Sequence, residues 1–166
     1  MSTKTRQASN KSAANEGRKV VTTNRSARFN YHIEEVMEAG IQLTGTEIKS
    51  IREGRANLQD AYAVIENGEV WLLGMHISPF EQASEYFNHD PRRPRKLLLH
   101  RRQIDYLQRQ IQQKGYTLVP VALVLNRGLA KVDLALARGK RQYDKREAIA
   151  ERDAQRRIER ALRERG

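Results

Sequence analysis

Two patterns of apolar residues run along this chain, and each predicts a different kind of strand. Residues 116–125 are almost continuously apolar, which is typical of a strand buried on both faces. Pro120 lies inside this run and predicts a bulge or an edge position, because proline donates no ladder hydrogen bond. After a turn at residues 126–128, residues 131–136 alternate between large apolar side chains and polar or small ones. This alternation predicts a strand with one buried face.

Residues 64–71 predict a β-hairpin. Asn67 and Gly68 suit the two positive-φ positions of a type I′ turn, and β-prone residues lie on both sides of them. Residues 31–37 form a weaker strand candidate.

Two helices interrupt the predicted strands. Residues 103–114 place three large aliphatic side chains on one face and end before a glycine. Residues 47–53 form a shorter candidate that also ends before a glycine. Short strands, tight turns and two inserted helices indicate a mainly β fold, either a small antiparallel barrel or a sandwich.

Most of the positive charge lies at the two ends. The 166 residues include 31 Lys and Arg against 20 Asp and Glu, a formal net charge of +11. Residues 1–22 carry +4, residues 138–166 carry +5 and residues 23–137 carry only +2. We therefore divide the chain into a basic N-terminal arm (1–22), a globular body (23–137) and a basic C-terminal tail (138–166). An excess of this size indicates a polyanionic partner, usually nucleic acid.

The two basic ends predict different behaviour. Residues 1–22 are rich in Ser, Thr, Asn and Ala, so we expect a disordered arm. Residues 144–147 show a capping-box pattern, and strong helix formers follow it. The large aliphatics of the tail are only Ile149, Ile158 and Leu162, too thin a stripe to dock firmly on the body. We expect a tail that becomes helical when phosphates surround it.

Several classes of protein are disfavoured. The chain has no Cys, which excludes disulfides and thiolate metal sites, and no apolar run approaches the roughly 18–20 residues of a membrane span. Residues 1–19 lack the apolar segment of a secretory signal, so we expect a cytoplasmic protein. The four His match no metal-binding spacing, and no nucleophile-elbow or phosphate-loop glycine motif is present. We expect no enzyme, no cofactor and no metal.

Three basic motifs of the body are candidates for phosphate contact, and each has a simpler explanation. Residues 92–96 hold four Arg or Lys beside a proline that restricts the loop, but such a run also forms a solvated loop with local ion pairs. Residues 24–28 supply Asn and two Arg, which more often form a cap or a turn. Lys49 and Arg52 share one face of the shorter helix, as in any amphipathic helix. Composition alone thus indicates a basic RNA-binding protein and nothing more specific.

A longer motif is more specific. Residues 38–54 read EAGIQLTGTEIKSIREG, and residues 57–62 continue the match. This string resembles the signature of the SsrA-binding protein family (small protein B, SmpB). Residues 24–25, 95–99 and 139–146 match the same family in order.

The resemblance implies both a fold and a function. The fold is a six-stranded antiparallel barrel of the oligonucleotide-binding (OB) type with two or three flanking helices. Family members bind the tRNA-like domain of transfer-messenger RNA (tmRNA, SsrA) and accompany it to the vacant A site of stalled ribosomes for trans-translation. There the stalled peptide is tagged and the ribosome is released. A monomer bound one-to-one to tmRNA is the matching expectation.

The resemblance also implies a tmRNA-binding site. Asn24, Glu38 and Leu98 fall where the family's tmRNA-facing cluster lies. We expect Leu98 to offer an apolar surface to unstacked bases, and Glu38 to accept hydrogen bonds from RNA or to fix a neighbouring Arg. Tyr62 either stacks on RNA or hydrogen-bonds to it, or it belongs to the core. Further charged residues complete the predicted site: Arg25, Arg28, Lys49, Arg52, Lys96 and Lys131.

The tail carries the second implied site. Residues 139–146 match the segment that family members place at the decoding centre, and the rest of the tail is expected to lie as a helix in the empty mRNA channel. Tyr143 stands where the family often has His, which keeps a stacking ring but loses a group that ionises near neutral pH. The predicted ribosome-binding residues are Gly139, Lys140, Arg141, Tyr143, Asp144, Lys145, Arg146, Arg152, Arg156 and Arg160.

Two alternatives remain at this point. The first is a general ribosomal or RNA-chaperone protein with an OB-like barrel. The second is an RNA-processing enzyme that uses His100 or His32.

Overall fold

The computed structural model describes residues 17–140 and 152–161, and it is mainly β. The strands are β1 (Arg18–Thr23), β2 (Tyr31–Ile41), β3 (Ala56–Asn57), β4 (Tyr62–Glu66), β5 (Glu69–Leu73), β6 (His76–Ile77), β7 (Arg95–Leu98), β8 (Thr117–Asn126) and β9 (Leu129–Gly139). The helices are α1 (Arg25–Asn30), α2 (Gly45–Arg52), α3 (Arg101–Lys114) and α4 (152–161), with a 3₁₀ turn at Glu85–Phe87.

Six of the strands close into a barrel. The order β8-β4-β5-β7-β2-β9 is antiparallel throughout, and β9 pairs again with β8. Strand β1 pairs with β8 as an additional strand, and β3 pairs with β6 in a separate small sheet. Because the main sheet returns to its own first strand, the fold is a barrel rather than a sandwich. The predicted mainly β fold of about six antiparallel strands is confirmed.

The local signals of the sequence explain the turns. Asn67 and Gly68 have φ angles of 52° and 74° and join β4 to β5, as the type I′ prediction requires. Gly115 has a φ of 68° and ends α3 in the left-handed conformation. The register of β8 against β9 shifts between Pro120 and Ala122, so the predicted bulge is present.

The core has two parts. The barrel interior is filled by side chains such as Leu72, Leu123 and Val132, and α3 covers it with Ile104 and Leu107. A smaller cluster lies beneath α1 and consists of Ala27, Val119, Val121, Ala135 and Ala137. Strand β9 is therefore buried on one face at its start and on both faces near its end, whereas the sequence predicted a single buried face throughout.

Both predicted boundaries of the body need correction. Residues 18–22, assigned to the disordered arm, belong to β1, where β-branched side chains pair with residues of β8. Strand β9 continues past residue 137 to Gly139, which pairs with Tyr31. The prediction of disorder for residues 1–16 lies outside the described residues.

Among residues 17–140 and 152–161, no helix has the length and apolar character needed to cross a membrane.

Candidate nucleic-acid interface

A groove runs across three neighbouring strands of the barrel. On β2, Gly40 pairs with Leu98 of β7 on one side and with Lys131 of β9 on the other. A Cβ atom on Gly40 would lie 3.1 Å from the Cβ of Leu98, so the absence of a side chain there leaves room for Leu98. We call this the Leu98 groove, and its lining includes Glu38, Gly40, Leu98, His100, Gln103 and Lys131.

Strand alternation explains why Leu98 faces outward. On β7, Arg95 and Leu97 are buried, while Lys96 and Leu98 point to the other face. Leu98 is 52% exposed although it is a large aliphatic side chain. The groove therefore presents an apolar surface together with a carboxylate and an ammonium group. That combination suits an RNA nucleotide, which offers a base face, polar edges and a phosphate.

Glu38 lies beside a basic partner that the sequence analysis did not select. Arg18 of β1 forms an ion pair with Asp133, and its other terminal nitrogen lies 3.5 Å from Glu38. Burial raises the pKa of Asp133, and Arg18 opposes this effect. Of the two roles predicted for Glu38, the structure shows the contact with a neighbouring Arg. Arg18 was missed because it was assigned to the disordered arm.

Asn24 is largely buried, and the small part that stays accessible lines the two polar clefts beside α1. Its side chain is 5% exposed, donates to the Pro120 carbonyl at 3.0 Å and accepts from the Ala27 amide as the N-cap of α1. Its backbone amide donates to the Val121 carbonyl at 2.8 Å. Asn24 thus fixes α1 to the bulge in β8, and its contact with RNA stays a prediction.

The positions around Asn24 are accessible. Arg25 and Arg28 are exposed on α1, and Arg25 lines a polar cleft together with Asn57 and Gln59. Tyr62 borders the adjoining cleft and is 48% exposed. Of the two alternatives for Tyr62, the structure places the ring on the surface rather than in the core.

Lys49 and Arg52 are both exposed on α2, as the amphipathic pattern predicted. Lys49 Nζ lies 5.4 Å from the centre of the Phe80 ring, which is a cation–π distance. Ile51, on the opposite face of α2, is fully buried. The helix thus turns its positive charge away from the barrel.

The basic side chains of residues 92–96 differ in burial. Arg95 and Glu47 are both fully buried and form an ion pair, and Arg93 Nη2 reaches the same carboxylate at 2.5 Å. Arg95 also donates to the carbonyls of Met75 and Pro91 at 2.8 and 3.1 Å. We call Glu47, Arg93 and Arg95 the buried charge cluster. The phosphate-contact interpretation of this run is therefore wrong for Arg95, whose donors are used inside the protein.

Burial and ion pairing have opposite effects on the pKa values within the buried charge cluster. Burial acts to raise the pKa of Glu47, but hydrogen bonds from Arg93, the Thr44 amide and Arg95 outweigh it, so the pKa lies below its ordinary value. Burial lowers the pKa of Arg95, and Glu47 opposes that shift. The neighbouring Lys96 is partly exposed and lies 3.2 Å from Glu69.

The ribosome-binding residues predicted in the tail are only partly described. Gly139 ends β9, and the Lys140 amide donates to the Asn30 carbonyl at 2.8 Å. Arg152, Arg156 and Arg160 are exposed on α4 at a spacing of four residues, which places them on one side of the helix. The remaining predicted residues lie outside the described ones: Arg141, Tyr143, Asp144, Lys145 and Arg146.

The remaining candidate chemistry of the described residues concerns metal ligands and two His side chains. Among those residues, no group of three or more His, Asp or Glu side chains is arranged to hold a metal ion. His100 is exposed at the start of α3, where its backbone amide donates a hydrogen bond to the side-chain oxygen of Gln103. His32 is exposed on β2.

Comparison with known proteins gives consistent matches. The family described as SmpB protein matches residues 21–164. An SsrA-binding protein of Moorella thermoacetica is 64% identical over 148 residues, which cover 89% of this chain and 95% of the relative. An SsrA-binding protein of Trichodesmium erythraeum is 55% identical over 149 residues, covering 90% of this chain and 96% of the relative.

A solved structure extends the comparison to the fold. A chain from the structure described as "tmRNA-SmpB: a journey to the center of the bacterial ribosome" is 48% identical, with a TM-score of 0.61. The match covers 77% of this chain and 93% of that one. Sequence and fold therefore agree over most of the described residues, and the chain belongs to the SmpB family of SsrA-binding proteins.

Proposed function

We propose that this protein is an RNA-binding adaptor of trans-translation with no catalytic step of its own. It binds the tRNA-like domain of tmRNA and brings it to the vacant A site of stalled ribosomes. Relatives over 50% identical across about nine-tenths of the chain carry the name SsrA-binding protein, and a similar solved chain belongs to a tmRNA–SmpB–ribosome complex. Because ribosomes work in the cytoplasm, we place the protein there.

One observation on this chain carries the proposal. Glu38, Leu98 and Lys131 come from three separate strands and line one groove. About half of the Leu98 side chain is in contact with water in the free protein, and RNA bases offer flat apolar faces that would cover it. Lys131 supplies charge for the RNA backbone. Base contacts of this kind select an RNA, whereas phosphate contacts alone bind any RNA.

The proposed binding surface extends beyond the groove. Arg25, Arg28 and Tyr62 around α1, and Lys49 and Arg52 on α2, are exposed and suited to backbone contact. We keep Asn24 in the site only as a positioning residue, because it fixes the helix that carries Arg25 and Arg28.

The tail serves the second half of the function. We propose that residues 139–146 occupy the decoding centre and that α4 lies in the empty mRNA channel. Arg152, Arg156 and Arg160 would contact rRNA phosphates there. An mRNA that continues through the channel would occupy the same space as α4 and exclude it. The helix would therefore recognise an empty channel without reading the mRNA sequence.

The first experiment measures affinity for the tRNA-like domain of tmRNA against an unrelated structured RNA of equal length at physiological salt. We expect a clear preference for tmRNA, which Leu98→Ala and Glu38→Ala reduce while the melting temperature changes little. Leu129→Ala is the matched control, because Leu129 is also an exposed aliphatic but lies at the β8–β9 turn. Equal affinity for both RNAs would favour the general ribosomal or RNA-chaperone function instead.

A truncation separates the two halves of the proposal. Since Gly139 belongs to β9 and Lys140 bonds Asn30, the deletion should begin at residue 141. We expect the truncated protein to bind tmRNA normally and to lose peptide tagging on stalled ribosomes. Loss of tmRNA binding would indicate that the main tmRNA-binding site lies in the tail.

The variants His32→Ala and His100→Ala should retain peptide tagging. If either variant is folded and binds RNA but no longer supports tagging, the RNA-processing enzyme becomes the favoured function.

A further inference from the structure

Two aromatic side chains project from the loop between β6 and β7. Tyr86 is 89% exposed and Phe87 is 76% exposed, the two highest values among the large hydrophobic side chains of residues 17–140 and 152–161. Their rings meet edge to face, with centroids 5.3 Å apart. We call this pair the aromatic tip. It lies on a different segment from every residue assigned above to RNA binding.

The backbone beneath the aromatic tip is held by specific contacts. The Asn88 side chain accepts from the Phe80 amide at 3.1 Å and donates to the Phe80 carbonyl at 2.9 Å, which closes the loop. His89 then bridges the Thr46 hydroxyl and the Ile77 carbonyl at 2.9 Å each. A loop fixed at its base in this way presents the two rings in a defined position without covering them.

We propose that the aromatic tip is a stacking site for an unpaired RNA base. Protein interfaces of standard size bury about 800 Å² per partner, far more than two side chains on one short turn provide. A single base, in contrast, needs only one flat ring face. This proposal rests on the proposed function, because it takes RNA as the partner and adds a contact outside the Leu98 groove.

Charge around the aromatic tip favours a base over a phosphate at the rings themselves. Glu85 is exposed immediately before Tyr86, and a carboxylate opposes a phosphate but not an uncharged base. The foot of the same loop carries both signs of charge: Lys49 sits over Phe80, Arg52 is exposed on α2, and the exposed Glu81 pairs with Arg55. Lys49 and Arg52 are the cations proposed to meet the RNA backbone that leads away from the tip.

The test compares full-length variants with two RNA partners, because tmRNA and rRNA both offer unpaired bases. Binding of the tRNA-like domain of tmRNA and binding of vacant ribosomes are measured for Tyr86→Ala/Phe87→Ala. Stacking is worth about 5-fold to 150-fold in affinity per base, so we expect a loss within this range in one of the two arms. The melting temperature should not change, since both side chains are exposed.

Two controls isolate the stacking. The exchange Tyr86→Phe/Phe87→Tyr keeps both rings and should bind like the wild type, and Leu129→Ala should do the same because it removes an exposed aliphatic elsewhere. The salt dependence of binding should keep its slope in the alanine variant, whereas Lys49→Ala should reduce the slope by about one phosphate contact.

The outcomes are decisive for this proposal and distinct from those for the proposed function. Unchanged affinity of the alanine variant in both arms overturns the stacking site. An exchange variant that binds as poorly as the alanine variant also overturns it, because ring faces would then not be the recognised feature. If the wild type shows no preference for tmRNA, the proposed function fails, while the ribosome arm still decides whether the rings stack on RNA.

Discussion

Two Arg-rich segments of this protein look alike in the sequence and have opposite structures. In residues 92–96, Arg95 is fully buried against Glu47 and Arg93 shares the same carboxylate. In α4, all ten residues are exposed, and the Arg152 guanidinium lies 5.5 Å from the centre of the Phe29 ring. The difference comes from one acid on another element. A run of Arg is available to RNA only where the fold brings no carboxylate to meet it.

The largest effect should come from removing that carboxylate. Glu47→Ala leaves two guanidinium groups without their shared acceptor, and the loss of one partner from a buried pair costs about 3–5 kcal/mol. Denaturant unfolding measures the free energy directly. Arg92→Ala, in the same run but exposed, is the control and should change stability by less than about 0.5 kcal/mol. Equal small effects for both variants would contradict the structural role of Glu47.

The pH dependence of the buried charge cluster sharpens the comparison with a smaller effect. Because the pKa of Glu47 is lower in the folded than in the unfolded protein, its stabilising effect is fully present above the unfolded pKa and is lost as pH falls through the folded pKa. Glu47→Gln imitates the protonated form at every pH. The difference in unfolding free energy between the wild type and Glu47→Gln should be constant above about pH 6 and should become smaller below about pH 4.

A matched carboxylate tests whether this pH dependence comes from burial. Glu81 pairs with Arg55 at 2.9 Å, but its side chain is 75% exposed. Exposed pairs contribute little, so wild type and Glu81→Gln should have nearly equal stability at every pH. A gap that responds to pH equally in both variants would show that the buried environment is not the cause.

The smallest effect on stability is expected in α4. Replacing Arg152, Arg156 and Arg160 by Ala should leave the unfolding free energy of the barrel within about 0.5 kcal/mol, since exposed substitutions rarely do more. Peptide tagging on stalled ribosomes should nevertheless fall sharply, and a triple Lys variant should restore much of it. A loss of stability above about 1 kcal/mol would mean that α4 packs on the barrel.

Local signals in the sequence predicted much of the fold. The Asn67-Gly68 turn, the glycine end of α3 and the bulge at Pro120 each depend on the backbone chemistry of one or two residues. Family resemblance supplied the number of strands, because barrel closure is a long-range property that no short window contains. Strand β1 was missed because it follows directly on a polar segment and was assigned to the same disordered arm, although its pairing with β8 stabilises it.

The candidate site was harder to predict than the fold. Leu98 and Lys131 lie 33 positions apart in the sequence and meet only through Gly40 between them. Asn24 was assigned to binding from the family resemblance, and Arg95 belongs to a basic run that was a candidate for phosphate contact, yet both are largely buried with internal partners. Burial of a polar side chain depends on acceptors from distant strands, such as the Pro120 carbonyl for Asn24, and the local sequence carries no sign of them.

The strand pairings that close the barrel differ in length, and this difference has a consequence for local unfolding. Strands β8 and β9 pair along almost their entire length, but β4 meets β8 at one residue pair, Ala63 with Leu118. Residues of α3, including Gln108 and Ile111, border a groove beside this junction. The first local unfolding event should therefore separate β4 from β8 as α3 lifts away. The amide hydrogens of β4 and β8 that face this junction should exchange with deuterium sooner than those shared by β8 and β9.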